Sequence, residues 1–389
     1  MATPLRIGLV AGENSGDQLG AALMAALQRR FPNAIFEGMG GDRMIALGFH
    51  SLYPLDRLSV MGLVEPLKRL PELLRIRRQL YRHFLDHQFD LVLGIDSPDF
   101  TIGLELKLRR QGMLTAHYVS PSVWAWRQGR IRKIARAVDR MLTLFPFETT
   151  FYRRHHVPVT FVGHPLADSL PVVPDQPAAV RERLGLAEGP LLAILPGSRG
   201  AEVATMGPLF LEVARRLRQT LPELSFVIPS ASVERHQQLE SLLDGCRDLP
   251  VTLVAGKAHD VMAASDAVLL TSGTTALEAM LLKKPMVVAY RMAPASYWLL
   301  SKLVKSPYIA LPNLLAGEAL VPELIQDQAT VDNLSRHTLE QLVDGEQRRR
   351  LVQRFTALHQ SLRRDAAETA ADVLTGMIEA RRKERPGDD

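Results

Sequence analysis

The chain has 389 residues, 47% of them hydrophobic and 23% charged, with a formal net charge of +5 and a pI near 9.4. This length suits two domains with ample core. The single cysteine, Cys246, excludes an intrachain disulfide framework and fits a reducing compartment. The N-terminus lacks the charged region and small-residue cleavage site of a signal peptide. No uncharged apolar run reaches the roughly 18 residues that span a bilayer, so the expected protein is soluble or peripheral. The basic excess favours an anionic partner, whether nucleic acid, anionic lipid or a phosphorylated ligand.

"LRIGLV" (5–10) reads as a buried strand, and "GDQLGAALMAALQRR" (16–30) as the helix that follows it. The segment 58–88 comes next. "LSVMGLVEPL" is apolar, and "PELLRIRRQLYRHFLDH" is expected to be a helix with Pro71 at its first position. Leu73, Ile76, Leu80 and Phe84 share one face, and Arg75, Arg78 and Arg82 the opposite one. This pattern reads either as a helix packed on a sheet with a solvated basic face, or as an element drawn to an anionic lipid surface. "LVLGI" (91–95), "LTAHYV" (114–119) and "RMLTLF" (140–145) complete a first set of parallel strands.

The stretch 163–180, with Pro165, Pro171, Pro174 and Pro177, reads as an interdomain linker. A second set of strands follows: "LLAILP" (191–196), "LSFVIP" (224–229), "VTLVAG" (251–256), "AVLLTS" (267–272) and "PMVVAY" (285–290), with helices expected at 202–219 and 274–283. Residues 331–382 have a charged helical pattern. The expected class is α/β, with two Rossmann-like doubly wound parallel-sheet domains facing a cleft and C-terminal helices. The divisions are 1–165, 166–350 and 351–389, the last able to pack back on the first domain. Ligands of such sheets sit at the carboxyl ends of the strands.

Four strand ends carry chemistry. In "LPGSRGAEV" (195–203) Gly197 permits a tight turn, and Ser198 and Arg199 present donors where a helix opens. Such a turn suits a phosphate, unless it is an ordinary strand–helix junction. "LLTSGTTALEAML" (269–281) repeats the design: Ser272, Gly273, Thr274 and Thr275 can donate to a pyrophosphate. Glu278, one turn on, can accept from a ribose cis-diol or act as a helix-start acid. In "LGIDSPDF" (93–100) Asp96 lies just past a buried strand, placed either as a general base or as an N-cap for the helix beginning near Asp99. "VAGENSGDQLGA" (10–21) is Gly-rich but fails as a dinucleotide fingerprint, and suits a sugar or acceptor group instead. Asn313 in "IALPNLLAGEALVPEL" offers both donor and acceptor, or is a plain turn residue. No Asp-x-Asp triplet or Cys/His cluster occurs, so no metal or cofactor is implied.

"GENSGD", "GMGGDRM", "GIDSPDF", "SPSVWAWRQGRIRKI", "FVGHPL", "LPGSR", "SGTTALEAML" and "LPNLLAG" occur in that order over about residues 8–325. Together they resemble the lipid-A-disaccharide synthases, bacterial inverting glycosyltransferases. The resemblance implies a GT-B fold, a UDP-2,3-diacylglucosamine donor and a 2,3-diacylglucosamine-1-phosphate acceptor, with a β-1,6 disaccharide and UDP as products. Carried onto this sequence, Glu278 holds the ribose, and Ser198, Arg199 and Ser272–Thr275 the diphosphate. Asp96 is the base, with Glu13 and Asp17 in reserve and Ser15 in the same loop. Asn313 positions a substrate.

In "SPSVWAWRQGRIRKI", Trp124 and Trp126 then read as a wall of the acceptor site against apolar or sugar surface, with Arg127 or Arg130 near the acceptor's phosphate, rather than as a nucleic-acid surface. The alternative is that the tryptophans pack the loop onto the core. Acylated substrates imply a cytoplasmic enzyme peripherally bound to the inner membrane through 58–88. A homodimer is compatible with the sequence.

Overall fold

The computed structural model describes residues 4–58, 65–304, 306–343 and 345–384, and only the backbone of residues 65–68, 294–296 and 299–300. Two compact units emerge. One comprises Met1–Asp168 with Leu362–Asp389, and the other Ser169–Ser361.

The first unit is built on seven strands: β1 (Arg6–Ala11), β2 (Ile35–Met39), β3 (His50–Tyr53), β4 (Leu91–Ile95), β5 (Leu114–Tyr118), β6 (Arg140–Thr143) and β7 (Val159–Phe161). Their order in the sheet is β3-β2-β1-β4-β5-β6-β7, and every pairing is parallel. The second unit holds β8 (Leu191–Leu195), β9 (Ser225–Ser230), β10 (Val251–Ala255), β11 (Ala267–Thr271), β12 (Met286–Tyr290) and β13 (Glu323–Ile325), ordered β10-β9-β8-β11-β12-β13 and again parallel throughout. Central strands β4, β8 and β11 are buried along their whole length, as a sheet covered on both faces requires.

Each sheet reverses its strand order at one place, between β1 and β4 in the first and between β8 and β11 in the second. At such a point the helices leaving the two strands diverge to opposite faces and open a crevice at the carboxyl ends. The strands that the sequence pattern left out are β2, β3, β7 and β13. Three of these are sheet edges, and β2 carries Glu37 and Gly38. Outer strands need no continuous apolar run, so the pattern is weakest there.

The helix Glu65–Asp86 begins ahead of Pro71, which lies inside it rather than at its first turn. The apolar residues 59–64 lie outside the described residues. Ile76, Leu80 and Phe84 are buried as the periodicity predicts, in a cluster with Val10, Val92 and Leu104.

The proline-rich stretch 163–180 is more structured than a linker. It contains the helix Pro165–Ser169 and the start of Pro177–Leu184. The Asp168 carboxylate accepts from the backbone N–H groups of Arg364, Asp365 and Ala366 at 2.9, 3.0 and 2.7 Å, which ties this stretch to the start of the helix Ala366–Lys383. That last helix packs Ala370, Ala371, Leu374 and Ile378 into the first unit's core beside Leu23, Met24 and Leu27 of the helix Asn14–Arg30. The second unit extends to Ser361, eleven residues beyond the 350 boundary read from the sequence.

Candidate functional site

In the first unit, β4 hands the chain to the helix Pro98–Arg109 through Asp96 and Ser97, both in the left-handed region at φ 55° and 47°. Non-glycine residues held there store roughly 1–3 kcal/mol each, which the surroundings must over-determine. Here the Asp96 N–H donates to the Tyr118 carbonyl at 2.9 Å, and the Thr101 hydroxyl donates to the Asp96 and Ser97 carbonyls at 3.0 Å. The helix N-cap is Ser97, so Asp96 is not the cap. One oxygen of its half-buried carboxylate accepts from the Ser97 N–H at 2.8 Å. Among the described residues the other oxygen accepts no hydrogen bond.

The glycine-rich loop after β1 comes up against this turn. A Cβ on Gly12 would lie 1.7 Å from the Ser97 hydroxyl, so only glycine permits the approach. Glu13 and Asp96 line one cavity of about 420 Å³ with Arg77, Ser97 and Asp99. Leu58, Leu70, Leu73, Leu74 and Phe100 supply its apolar wall, and Leu70 and Leu74 are 47% and 45% exposed. The pocket therefore offers carboxylates beside a broad apolar surface, as an amphipathic ligand requires. Ser15 is exposed in the first turn of the helix Asn14–Arg30.

Asp17 does not belong to this group. It is buried and accepts from the N–H groups of Gly41, Arg43 and Met44 at 2.8, 3.0 and 3.2 Å. It anchors the short helix Asp42–Ile45, and its reading as a reserve base is corrected to that structural role.

The tryptophan loop divides in two. Trp124 meets Phe147 edge-on at 4.9 Å and hydrogen-bonds the enclosed Glu148. The Ser120 hydroxyl lies 2.9 Å from that of Tyr152, and Val123 is buried. This half packs the loop onto the core, so Trp124 is corrected from ligand wall to anchor. Trp126 stacks under the Arg127 guanidinium at 4.4 Å, with Arg127 exposed at φ 52°. Arg130 is already engaged by Asp99 at 2.6 Å. His164 of "FVGHPL" is structural too: its Nδ1 accepts the Leu166 N–H at 3.2 Å, and burial lowers its pKa to about 4.

In the second unit, the turn after β8 is held by its own acid. One Glu202 oxygen accepts from the Ser198 and Arg199 N–H groups at 3.2 and 3.3 Å, and the other from the Arg199 guanidinium at 2.9 Å. Gly197, at φ 121°, is needed because a Cβ there would sit 2.5 Å from the Glu202 Cβ. An internal carboxylate therefore occupies the amides of this turn. Arg199 remains 78% exposed. The Tyr290 phenol at the end of β12 has its pKa raised by burial, with the nearby Glu202 charge adding to the effect.

After β11, Gly273 (φ 152°) is the N-cap of the helix Thr274–Leu281. Ser272 and Thr275 are half-buried, and Gly273 and Thr274 exposed. Glu278 lies past the first turn, so it is not a helix-start acid. Its carboxylate faces His259 Nε2 at 3.6 Å and raises the imidazole pKa through a hydrogen bond.

Asn313 is not at this strand end. It is buried, donating to the Val321 carbonyl and Glu323 at 2.9 and 2.7 Å and accepting the Val321 N–H at 2.8 Å, which makes it a clasp between the helix Leu311–Ala316 and β13. Its reading as a residue that positions a substrate is corrected accordingly. Sequence reasoning missed Glu202, Glu148, His259 and Tyr290. Glu202 and Glu148 carried a signal, an acid three residues past a helix N-cap. Among the described residues no group of three His, Cys, Asp or Glu is placed to hold a metal ion.

A family model described as lipid-A-disaccharide synthetase matches residues 7–374. The lipid-A-disaccharide synthase of Pseudomonas aeruginosa PAO1 is 56% identical over 382 residues, covering 98% of this chain and 100% of the relative. That of Hahella chejuensis is 55% identical over 379 residues, covering 97% and 95%. Among solved structures, a UDP-N-acetylglucosamine 2-epimerase of Neisseria meningitidis bound to UDP-GlcNAc matches 96% of this chain and 100% of its own, at TM-score 0.62 and 15% identity. A glycosyltransferase involved in lipopolysaccharide biosynthesis matches 96% and 100%, at TM-score 0.57 and 14% identity. These structural likenesses show the fold, the two-sheet GT-B architecture. The family match along nearly the whole chain, together with identity above one half, shows that the chain belongs to the lipid-A-disaccharide synthases, glycosyltransferases of lipid A biosynthesis in Gram-negative bacteria.

Proposed function

We propose that this chain transfers the sugar of UDP-2,3-diacylglucosamine to the 6-hydroxyl of 2,3-diacylglucosamine-1-phosphate, inverting the anomeric centre and releasing UDP. The observation that carries this reading is the amphipathic cavity around Asp96, with a carboxylate oxygen open to a ligand beside an apolar wall. The acceptor binds in the first unit. Asp96 takes the proton of its 6-hydroxyl as that oxygen attacks the anomeric carbon from the face opposite UDP, and one displacement forms the β-1,6 bond. General-base help of this kind contributes about 10²–10⁴-fold.

The second unit binds UDP. Glu278 accepts from the ribose diol. The amides and hydroxyls of Ser272–Thr275, with the exposed Arg199, take up the charge of the departing diphosphate. Arg127 and Trp126 are the residues of the tryptophan loop that remain available to substrate.

Membrane association is part of the same proposal. No helix among the described residues is long and apolar enough to cross a bilayer. The exposed Leu70 and Leu74 stand on the same helix as the exposed Arg75, Arg78 and Arg82, a combination that suits contact with an anionic leaflet on the cytoplasmic side of the inner membrane.

The test is UDP release from the diacylated donor and acceptor. Asp96→Asn should lower kcat about 10²-fold or more while the protein stays folded. Near-normal turnover by that variant overturns the assignment. Glu13→Gln decides the alternative, since Glu13 lines the same cavity.

A further inference from the structure

The first unit holds a pair of cations that the reaction as described does not use. Gly103 lies in the helix Pro98–Arg109, which begins beside Asp96. A Cβ built on Gly103 would lie 2.6 Å from Arg77 Nη1 and 3.8 Å from Lys133 Nζ. Two cationic heads, one from the helix Glu65–Asp86 and one from Ile131–Ala137, therefore converge over a single residue that leaves room for them. On their helix Arg75, Arg78 and Arg82 are exposed, whereas Arg77 is half-buried and turned into the cavity that holds Asp96.

Among the described residues neither Arg77 nor Lys133 has a carboxylate within ion-pair distance. Burial lowers the pKa of Arg77. Burial, and then the charges of Arg77 and Arg130, lower that of Lys133. The nearby acids Asp99 and Glu105 oppose this, but neither is within ion-pair distance of either cation, and Glu105 is engaged through one oxygen while the other is buried without a hydrogen bond. Asp99 is bound to Arg130 at 2.6 Å, and Glu105 to His117 and the Gly94 N–H at 2.8 and 3.1 Å. Two partly desolvated cations held together without a counterion repel each other, and an incoming anion relieves that repulsion. A guanidinium and an ammonium converging on one residue suit the oxygens of a phosphate monoester.

We propose that Arg77 and Lys133 form the subsite for the acceptor's phosphate, orienting the sugar so that its far hydroxyl meets Asp96. This rests on the reading of the acceptor as a phosphosugar. It moves the phosphate contact expected at Arg127 or Arg130, of which Asp99 holds the latter, to a pair of cations with no carboxylate within ion-pair distance.

The experiment compares kcat/KM for 2,3-diacylglucosamine-1-phosphate with that for the same sugar lacking the phosphate, with the donor saturating. Wild-type enzyme should prefer the phosphorylated acceptor by about 10²-fold or more, since a site built for a charged group rejects the analogue without it. In Arg77→Gln/Lys133→Gln this preference should fall to within about 5-fold of one, through KM of the phosphorylated acceptor. Arg77→Lys should restore part of it. If the double variant does not fold, Lys133→Gln alone, at an exposed position, should move the ratio in the same direction. An unchanged ratio in these variants, equal losses on both acceptors, or no wild-type preference overturns the subsite. No UDP release from the wild type with the phosphorylated acceptor overturns the functional reading itself, a separate result.

Discussion

Glu148 is enclosed at the start of the helix Pro146–Arg154, and burial pushes its carboxyl up to about 8 against hydrogen bonds from the Phe145 N–H, Ser120 and Trp124. The folded chain therefore holds a proton that the unfolded chain releases near 4.5. For a group raised on folding, the stability it contributes is full below the unfolded value and is lost as pH rises through the folded one. Between about pH 5 and 8 the first unit should lose up to roughly 1.4 kcal/mol per pH unit from this group. Glu148→Gln, neutral at every pH, should abolish that slope. Urea midpoints of the two proteins, measured from pH 5 to 8, should diverge in favour of the variant, and parallel profiles would count against the enclosed acid. Asp17 is the complementary case. It lies in the first turns of a helix, and three backbone N–H groups converge on it. Asp17→Ala should destabilise the fold by about 3 kcal/mol in a denaturant titration, because those donors lose a charged partner. Nothing in "GENSGD" distinguishes Glu13, open to the cavity, from Asp17, buried under Gly41. The donors that claim Asp17 come from residues 41–44, which only the fold brings near.

Among the elements, the helix Ala366–Lys383 meets Asn14–Arg30 through two kinds of contact. Leu374 and Ile378 enter the core, while Arg30 pairs with Glu368 at 2.8 Å and Arg29 and Asp372 extend the ion-pair cluster. Buried area and exposed charge do not contribute equally. Leu374→Ala should cost about 2–5 kcal/mol by leaving a cavity. Glu368→Ala should cost about 1 kcal/mol or less, since partly exposed pairs are screened. Thermal unfolding of the two variants checks the ranking, and a larger effect for Glu368→Ala would reverse it. The helical pattern of this segment was legible in the sequence. Its docking partner was not, because apolar spacing shows which face is buried but not against what. The strands follow the same rule. Those with continuous apolar runs, such as β4 and β11, were legible from composition alone. The edge strands β3, β7 and β13 owe their extended form to hydrogen bonds from a neighbour.

At the scale of the whole molecule, two parallel sheets each reverse order once, and the chemistry-bearing residues cluster at those reversals. The exposed face of Glu65–Asp86 adds a prediction that belongs to the intact protein. Arg75→Glu, Arg78→Glu and Arg82→Glu together should lower sedimentation with vesicles containing anionic lipid, by about 1 kcal/mol or less per residue. Unchanged association would remove the electrostatic part of membrane binding. The sequence by itself determined the α/β class, the two sets of strands, the family, and the strand ends where ligands are to be sought. These depend on local signals: apolar runs, helix starts, and glycines where the backbone must turn or approach closely. The tertiary structure alone decided which acids and cations are free. Asp17, Arg130 and Trp124 are engaged by partners 23–31 positions away and Asn313 by partners 8 and 10 positions away, whereas Asp96 and the Arg77–Lys133 pair are left open. Availability depends on neighbours in space, and a residue's type and spacing along the chain do not encode them.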